Sequence, residues 1–352
     1  MQEGRADLLP VRTKPKSVNP IPMKSCLLIF LVGSISGATL FAKEDVPVAK
    51  YTIQFVKVER DVKLEVVDWG GSGKPLILLA GLGADAHVYD EFAPKLAATC
   101  HVYGITRRGF GASSVPVDGY SADRLGDDVL AVIDSLKIDR PVLVGHSLAG
   151  EELSSVGTRH PDKIAGLIYL EAAYSYAFFD RSAGDLVIDS IELRKRLEQL
   201  LPGKERGDPK KLIAEILEAL PPLEKGLKQR QKDLQSMPDP EKETGPQPPE
   251  PEVPLPIQGI FAGQQKYSAI HVPILALYAM PHAFAGMFAN DPAGRAKAEA
   301  EDMVRVGAQA KALEAGVPSA RVVRLAHATH FIFNSNEAEV LREMNAFLRT
   351  LP

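Results

Sequence analysis

The sequence predicts an α/β domain: a mostly parallel central sheet with flanking helices and one helical insertion. Three observations predict it. Short β-branched runs recur along the chain, from Leu76 onward they alternate with helical patterns, and one stretch of about 100 residues breaks the alternation.

Thr52 to Arg60 and Val62 to Asp68 read as two leading strands, followed by the turn-rich WGGSGKP. Leu76 to Leu79, Val102 to Ile105, Val142 to Val144, Ile164 to Leu170, Ile274 to Leu277 and Arg321 to Leu325 are short apolar runs without alternation, as expected of strands covered on both faces. Helical patterns fit between them. Ala122 to Leu136 follows the fourth strand, Leu148 to Arg159 the fifth, and Asn336 to Leu348 closes the chain. Asp291, followed by Pro292 and an alanine-rich run toward Glu314, has the form of a helix N-cap with proline at the first helical position.

The interruption lies between Leu170 and Ile274. Leu193, Leu197, Leu200 and Leu201 carry helical spacing there, as do Leu212, Ile213, Ile216, Leu217 and Leu220, which predicts a helical cap over about residues 175–270. Within it, residues 237–256 hold eight prolines in 20 positions, a composition that predicts an extended loop.

Composition narrows the function classes. The chain has 352 residues, 45% of them apolar and 24% charged, with a net charge of −4, which excludes disorder, collagen and coiled coil. Lys and Arg are scattered, so no nucleic-acid partner is expected. Two cysteines, Cys26 and Cys100, build neither a disulfide framework nor a multi-cysteine zinc cluster. From Met23 the chain reads MKSCLLIFLVGSISGATLFA: a lysine, an apolar run of about 15 residues, then small residues suited to cleavage after Ala38 or Ala42. This is the pattern of a secretory signal, and the run is short of the roughly 20 residues that span a bilayer. Residues 1–42 are therefore expected to be an N-terminal extension and signal, and residues 43–352 the folded domain, exported and with no stable membrane span. Removal of residues 1–42 leaves 310 residues at net charge −7.

The most informative stretch is the strand PVLV running into Gly145-His146-Ser147-Leu148-Ala149-Gly150 and then a helical pattern. A serine on a sharp strand-to-helix turn is held with its hydroxyl exposed above the sheet, which makes Ser147 a candidate nucleophile. The same turn puts the Leu148 N–H at a helix N-terminus, where a developing oxyanion is favoured. Upstream, the strand LILLA enters Gly81-Leu82-Gly83, and the Leu82 N–H is the candidate second donor. A serine also needs a base. His327 and His330 follow the last strand, and His330, further into the loop, is the candidate. Their spacing of three suggests no metal site, because no third ligand stands near. No metal or cofactor is called for, and His146 is expected to pack beside the nucleophile.

With these residues the chain resembles the α/β-hydrolase family from about Tyr51 to Pro352, apart from the cap. VYGITRRGFGASS is similar to the family's turn after the fourth strand, usually D-R-x-G-x-G-x-S, with Thr106 in place of the acid and Arg107, Gly109, Gly111 and Ser113 filling the rest. Ala80-Gly81 stands where family members usually have His-Gly, and Ala149 where Gly is usual. Ser147 at the nucleophile position argues against the haloalkane dehalogenases and epoxide hydrolases, which use Asp there.

The resemblance also implies a triad acid, most often just after the seventh strand. Here no carboxylate stands from Tyr278 to Asn290. A minority of the family place the acid after the sixth strand, and in this chain that strand, GLIYL, runs into Glu171. A glutamate ending an apolar strand needs a partner, and an imidazole N–H is a suitable one. Glu171 is the expected acid, with Asp180 and Asp291 as alternatives. Tyr174, Tyr176 and Phe284 are candidates for a substrate pocket between cap and core, with His87 and Tyr89 beyond the oxyanion loop as further ones. The implied activity is hydrolysis of a carboxylic ester or lactone, a small-molecule substrate. Amidase, carbon–carbon hydrolase and perhydrolase chemistry, or an inactive ligand-binding member, are the alternatives on the same fold.

Overall fold

A computed structural model describes residues 51–173, 185–201, 208–236 and 252–352. The predicted signal segment, Tyr174, Tyr176, Asp180 and most of the proline-rich stretch lie outside the described residues.

Eight strands form one sheet: β1 (Thr52–Glu59), β2 (Val62–Gly71), β3 (Lys74–Leu79), β4 (Cys100–Ile105), β5 (Val142–His146), β6 (Gly166–Leu170), β7 (Ile274–Ala279) and β8 (Ala320–Leu325). Their order is β1-β2-β4-β3-β5-β6-β7-β8. β2 pairs antiparallel with both β1 and β4, and every pair from β4 to β8 is parallel. The order reverses at β3, which lies between β4 and β5. In open α/β sheets the crevice beyond the carboxyl ends of the strands at such a point is where ligands bind. The loops leaving β3 and β5 are those that carry Gly81 and Ser147.

Successive residues of one strand point to opposite faces, and here both faces are covered. Ile77, Leu79 and Leu143 pack with Val129, Val132 and Leu153 on one side, whereas Leu76, Leu78 and Val142 pack with Phe92, Phe333 and Met344 on the other. This is why the inner strands read as unbroken apolar runs. The flanking helices are α1 (Ala93–Leu96), α2 (Ala122–Leu136) and α3 (Ala149–Arg159), and beyond the insertion α7 (Pro292–Gly316), α8 (Ile332–Ser335) and α9 (Glu337–Leu348). The Ser121 hydroxyl accepts the Arg124 N–H at the start of α2, and Asp291 accepts the Gly294 N–H at the start of α7, with Pro292 opening the helix as predicted.

Between β6 and β7 lie α4 (Leu186–Glu198), α5 (Pro209–Ser236) and α6 (Leu255–Ala262). Leu193, Leu212 and Ile216 make a buried cluster of their own. Leu197, Leu200, Leu201, Ile213, Leu217 and Leu220 remain exposed, so one face of the predicted pattern packs. One expectation is corrected. The proline-rich stretch is not extended to its end, because Leu255 and Pro256 open α6, and the first helical turn has no use for the N–H that proline lacks.

Candidate active site

Ser147 follows β5 with φ +53°, a left-handed conformation that a serine adopts only when its surroundings impose it. Those surroundings are crowded. A Cβ on Gly145 would stand 2.7 Å from Leu153 Cδ1, and one on Gly81 would stand 2.9 Å from His146 Nδ1 and 3.2 Å from Ser147 Cβ. Only glycine at position 81 lets the loop after β3 approach the elbow this closely. Leu82 and Leu148, the two predicted amide donors, meet in one apolar cluster with Tyr120, Leu125 and Ile260. Ser147 is half-buried, and its hydroxyl makes no hydrogen bond among the described residues.

The loop after β3 is braced from β4. Arg107 donates through Nη2 to the Ala80 carbonyl at 2.7 Å and through Nη1 to the Gly81 carbonyl at 3.3 Å, while its Nε pairs with buried Glu152. Thr106, which stands where an acid is usual, has its carboxylate supplied from β2. Its hydroxyl donates to Glu65 Oε2 at 2.7 Å and accepts the Ala86 N–H at 3.1 Å, and Ser113 closes the set on the Thr106 carbonyl.

Glu171 leaves β6 at φ +50° with no accessible surface. Its Oε1 accepts the Ala279 N–H at 2.7 Å, and its Oε2 faces His330 Nδ1 at 3.3 Å. The structure thus brings the expected acid and the expected base together, whereas Asp291 is spent as an exposed helix cap. His330 is also fixed through its backbone, because His146 Nε2 donates to the His330 carbonyl at 2.9 Å and the two rings lie 4.6 Å apart. Burial, helped by the nearby His330, pushes His146 down to about 3, so His146 is neutral. Its ring packs on His330, Phe331 and Phe333. His327 faces Glu299 at 3.9 Å, away from Glu171.

A residue that sequence reasoning missed completes the cluster. His282, after β7, places Nε2 2.9 Å from Glu171 Oε2, and its Nδ1 and backbone N–H both reach Asp302 Oδ2 of α7, at 2.9 and 2.8 Å. Burial disfavours charge on His282, but the hydrogen bonds and charges of Asp302 and Glu171 outweigh it and raise His282 to about 9. Ligand atoms of Glu171, His282 and His330 lie within 4.8 Å of one another, close enough for one metal ion. Both imidazole nitrogens facing Glu171 are at hydrogen-bond separation from its oxygen, and we assign them as proton donors.

Of the predicted pocket residues, Phe284 lies beside this cluster, its ring centroid 6.3 Å from that of His282. Tyr89 is corrected: it is fully buried, donates its hydroxyl to the Leu79 carbonyl at 2.9 Å and packs on Phe333, so it is a core residue. His87 is turned to Asp90 at 3.1 Å and Glu65 at 3.5 Å.

Comparison with known proteins bears on the family and the fold. The sequence profile described as "Alpha/beta hydrolase family" matches residues 76–343, more than half of the chain. The chain belongs to the alpha/beta hydrolase family. Among alpha/beta hydrolase relatives it is 33% identical over 116 residues to a fluoroacetate dehalogenase of a Burkholderia species, covering 32% of this chain and 38% of that one. It is 31% identical over 107 residues to a 2-hydroxymuconate semialdehyde hydrolase of a Pseudomonas species, covering 29% and 38%. The matches therefore span well under two thirds of those relatives. Solved structures of the same fold include a bromoperoxidase from Bacillus anthracis, at TM-score 0.52 and 16% identity over 85% of this chain and 100% of that one. An esterase from Thermogutta terrifontis has TM-score 0.51 and 18% identity over 86% and 99%. Among the described residues no helix is long and apolar enough to cross a membrane.

The signal that would have found His282 was faint. It occupies the loop after β7, the usual place of the family's acid, and its partner Asp302 lies 20 residues further on in an alanine-rich helix.

Proposed function

We propose that this alpha/beta hydrolase is an exported serine hydrolase that cleaves a carboxylic ester or lactone through an acyl-enzyme on Ser147. One observation carries the reading: a serine held at φ +53° on the elbow, next in sequence to His146, whose ring lies 4.6 Å from that of His330, the histidine whose Nδ1 faces a fully buried carboxylate. In this reading His330 Nε2 takes the proton as Ser147 Oγ attacks the carbonyl carbon, and Glu171 keeps the proton of His330 on Nδ1 and stabilises the imidazolium. The Leu82 and Leu148 amides hold the oxyanion. The leaving alcohol takes the proton back from His330, and water then repeats the sequence to release the acid. The serine–histidine contact of such sites tightens when substrate arrives.

The test is direct. A fluorophosphonate probe should label Ser147, and short-chain nitrophenyl esters should turn over, with both lost in Ser147→Ala. Absence of labelling and turnover in the wild type would refute the serine-hydrolase reading. Turnover of a carbon–carbon substrate alone would move the assignment to the carbon–carbon hydrolase alternative. For export, the N-terminus of protein recovered outside the cytoplasm should begin just after Ala38 or Ala42; an intact Met23 segment on cytoplasmic protein refutes it.

A further inference from the structure

We propose that His282, clamped between Asp302 and Glu171, is a positioning residue that fixes the Glu171 carboxylate and tunes the basicity of His330 through it. The inference rests on the serine-hydrolase reading for its kinetic consequence, and on geometry for its cause.

The shared atom is Glu171 Oε2. It lies closer to His282 Nε2, at 2.9 Å, than to His330 Nδ1, at 3.3 Å. The other oxygen is held by the Ala279 N–H, so donors from three separate segments fix the carboxylate in one orientation. His282 is held as firmly. Asp302 takes both its ring and its backbone N–H, and Arg305 in turn pairs with Asp302 at 2.5 Å. The two histidine-bearing loops are also zipped together: the Ala283 N–H donates to the Ala328 carbonyl at 2.9 Å, and the His327 N–H to the Pro281 carbonyl at 2.8 Å. These bonds hold the loop that carries His282 against the loop that carries His330.

An imidazole with a carboxylate oxygen at each ring nitrogen must carry both protons to satisfy both acceptors. The result is an alternation of charge, Glu171 negative, His282 positive, Asp302 negative and Arg305 positive, which offsets the cost of burying Glu171 completely. Among the described residues, the charged groups that face His282 include Glu171 from the end of β6, Asp302 with Arg305 from α7, and His330 from the loop after β8; His330 also meets neutral His146. A cation on the carboxylate that backs a catalytic histidine withdraws part of that carboxylate's support for the imidazolium. Ser147 is therefore expected to react into more acidic medium than a bare Glu–His pair behind it would permit.

The experiment follows the rate of fluorophosphonate labelling of Ser147 against pH, which needs no knowledge of the substrate. His282→Gln keeps a neutral donor toward Glu171. Asp302→Asn keeps the hydrogen bond to His282 Nδ1 but lets His282 become neutral. Both should move the acid limb of the profile up by about one pH unit, the effect of removing a nearby like charge from His330. A folded variant pair whose limb stays at the wild-type position, or whose plateau alone falls, overturns the tuning role. Should the variants fail to fold, NMR titration of the wild-type imidazoles decides: His282 still protonated at pH 8 supports the proposal, and His282 neutral at pH 7 overturns it. A wild type that no probe labels at any pH refutes the serine-hydrolase reading, while the titration still decides the charge of His282.

Discussion

Glu171 shows what a single residue can reveal and conceal. A glutamate at the end of an apolar strand signals a partner from the sequence alone, since an isolated buried carboxylate is too costly to keep. The partner it signals is His330, and the two do meet, at 3.3 Å. The sequence holds no comparable sign of His282, because a histidine in an apolar loop has no periodicity and its partner Asp302 is separated by 20 residues. Replacing Glu171 by Gln tests the acid assignment. The amide cannot hold the His330 tautomer or stabilise its imidazolium, so kcat on nitrophenyl esters should fall by roughly 10³ to 10⁴ with the fold retained. Full activity in Glu171→Gln, with loss in Asp291→Asn, would transfer the role, although Asp291 is already engaged in capping α7.

At the scale of elements, the inner strands were legible because two-sided burial leaves an unambiguous apolar run, and the predicted and observed strands coincide in number and order. The helix α2 was legible to the residue. The insertion was legible only as a helical pattern, since spacing marks a helix but does not say which of its leucines finds a surface to cover. Least legible was the brace on the oxyanion loop, where β4, β3 and α3 meet through Arg107. Its guanidinium spans two carbonyls of the loop and the Glu152 carboxylate, a fork that lysine lacks. Arg107→Ala leaves Glu152 buried without its cation and should cost about 3–5 kcal/mol of stability. Arg107→Lys should retain more of the fold yet label slowly at Ser147, because one ammonium cannot hold both carbonyls. Gly81→Ala gives an independent check on the same loop: a Cβ 2.9 Å from His146 Nδ1 should slow labelling without changing the pH at which it begins. Denaturant melts and probe kinetics on the three variants separate stability from loop placement, and wild-type labelling in both Arg107→Lys and Gly81→Ala would remove the loop from the site.

For the whole molecule, the net charge of −4 read from the sequence describes solubility, and the groups that govern pH stability are the buried ones it cannot distinguish. Three stand out. Glu151, in the first turn of α3, is pushed up to about 8 by burial, and its Oε1 has no hydrogen-bond partner among the described residues. A carboxyl raised in the folded state holds its proton longer there than in the unfolded chain, so it removes stability as pH climbs from 4.5 to about 8. His282, despite its burial, is raised to about 9 by Asp302 and Glu171, so its contribution is complete below 6.5 and is lost as pH rises through about 9. His146 works in the opposite sense: lowered by burial to about 3, it favours the folded state above 6.5 and withdraws that support as pH falls toward 3. Between 4.5 and 6.5 the Glu151 and His146 slopes oppose each other, while above 6.5 Glu151 and His282 act together. Thermal stability should therefore peak on the acidic side of neutrality and decline toward pH 9. A tenfold difference in proton affinity between folded and unfolded chains is worth about 1.4 kcal/mol, or roughly 2 °C in the melting midpoint of a domain this large. Calorimetry at intervals from pH 4 to 9.5 reads the curve. Glu151→Gln should flatten the part between 4.5 and 8, and His282→Gln the part between 6.5 and 9. A wild-type midpoint that rises from pH 6.5 to 9 would contradict both assignments at once, and a decline untouched by His282→Gln would show that the imidazole between Asp302 and Glu171 does not carry the charge its two carboxylates require.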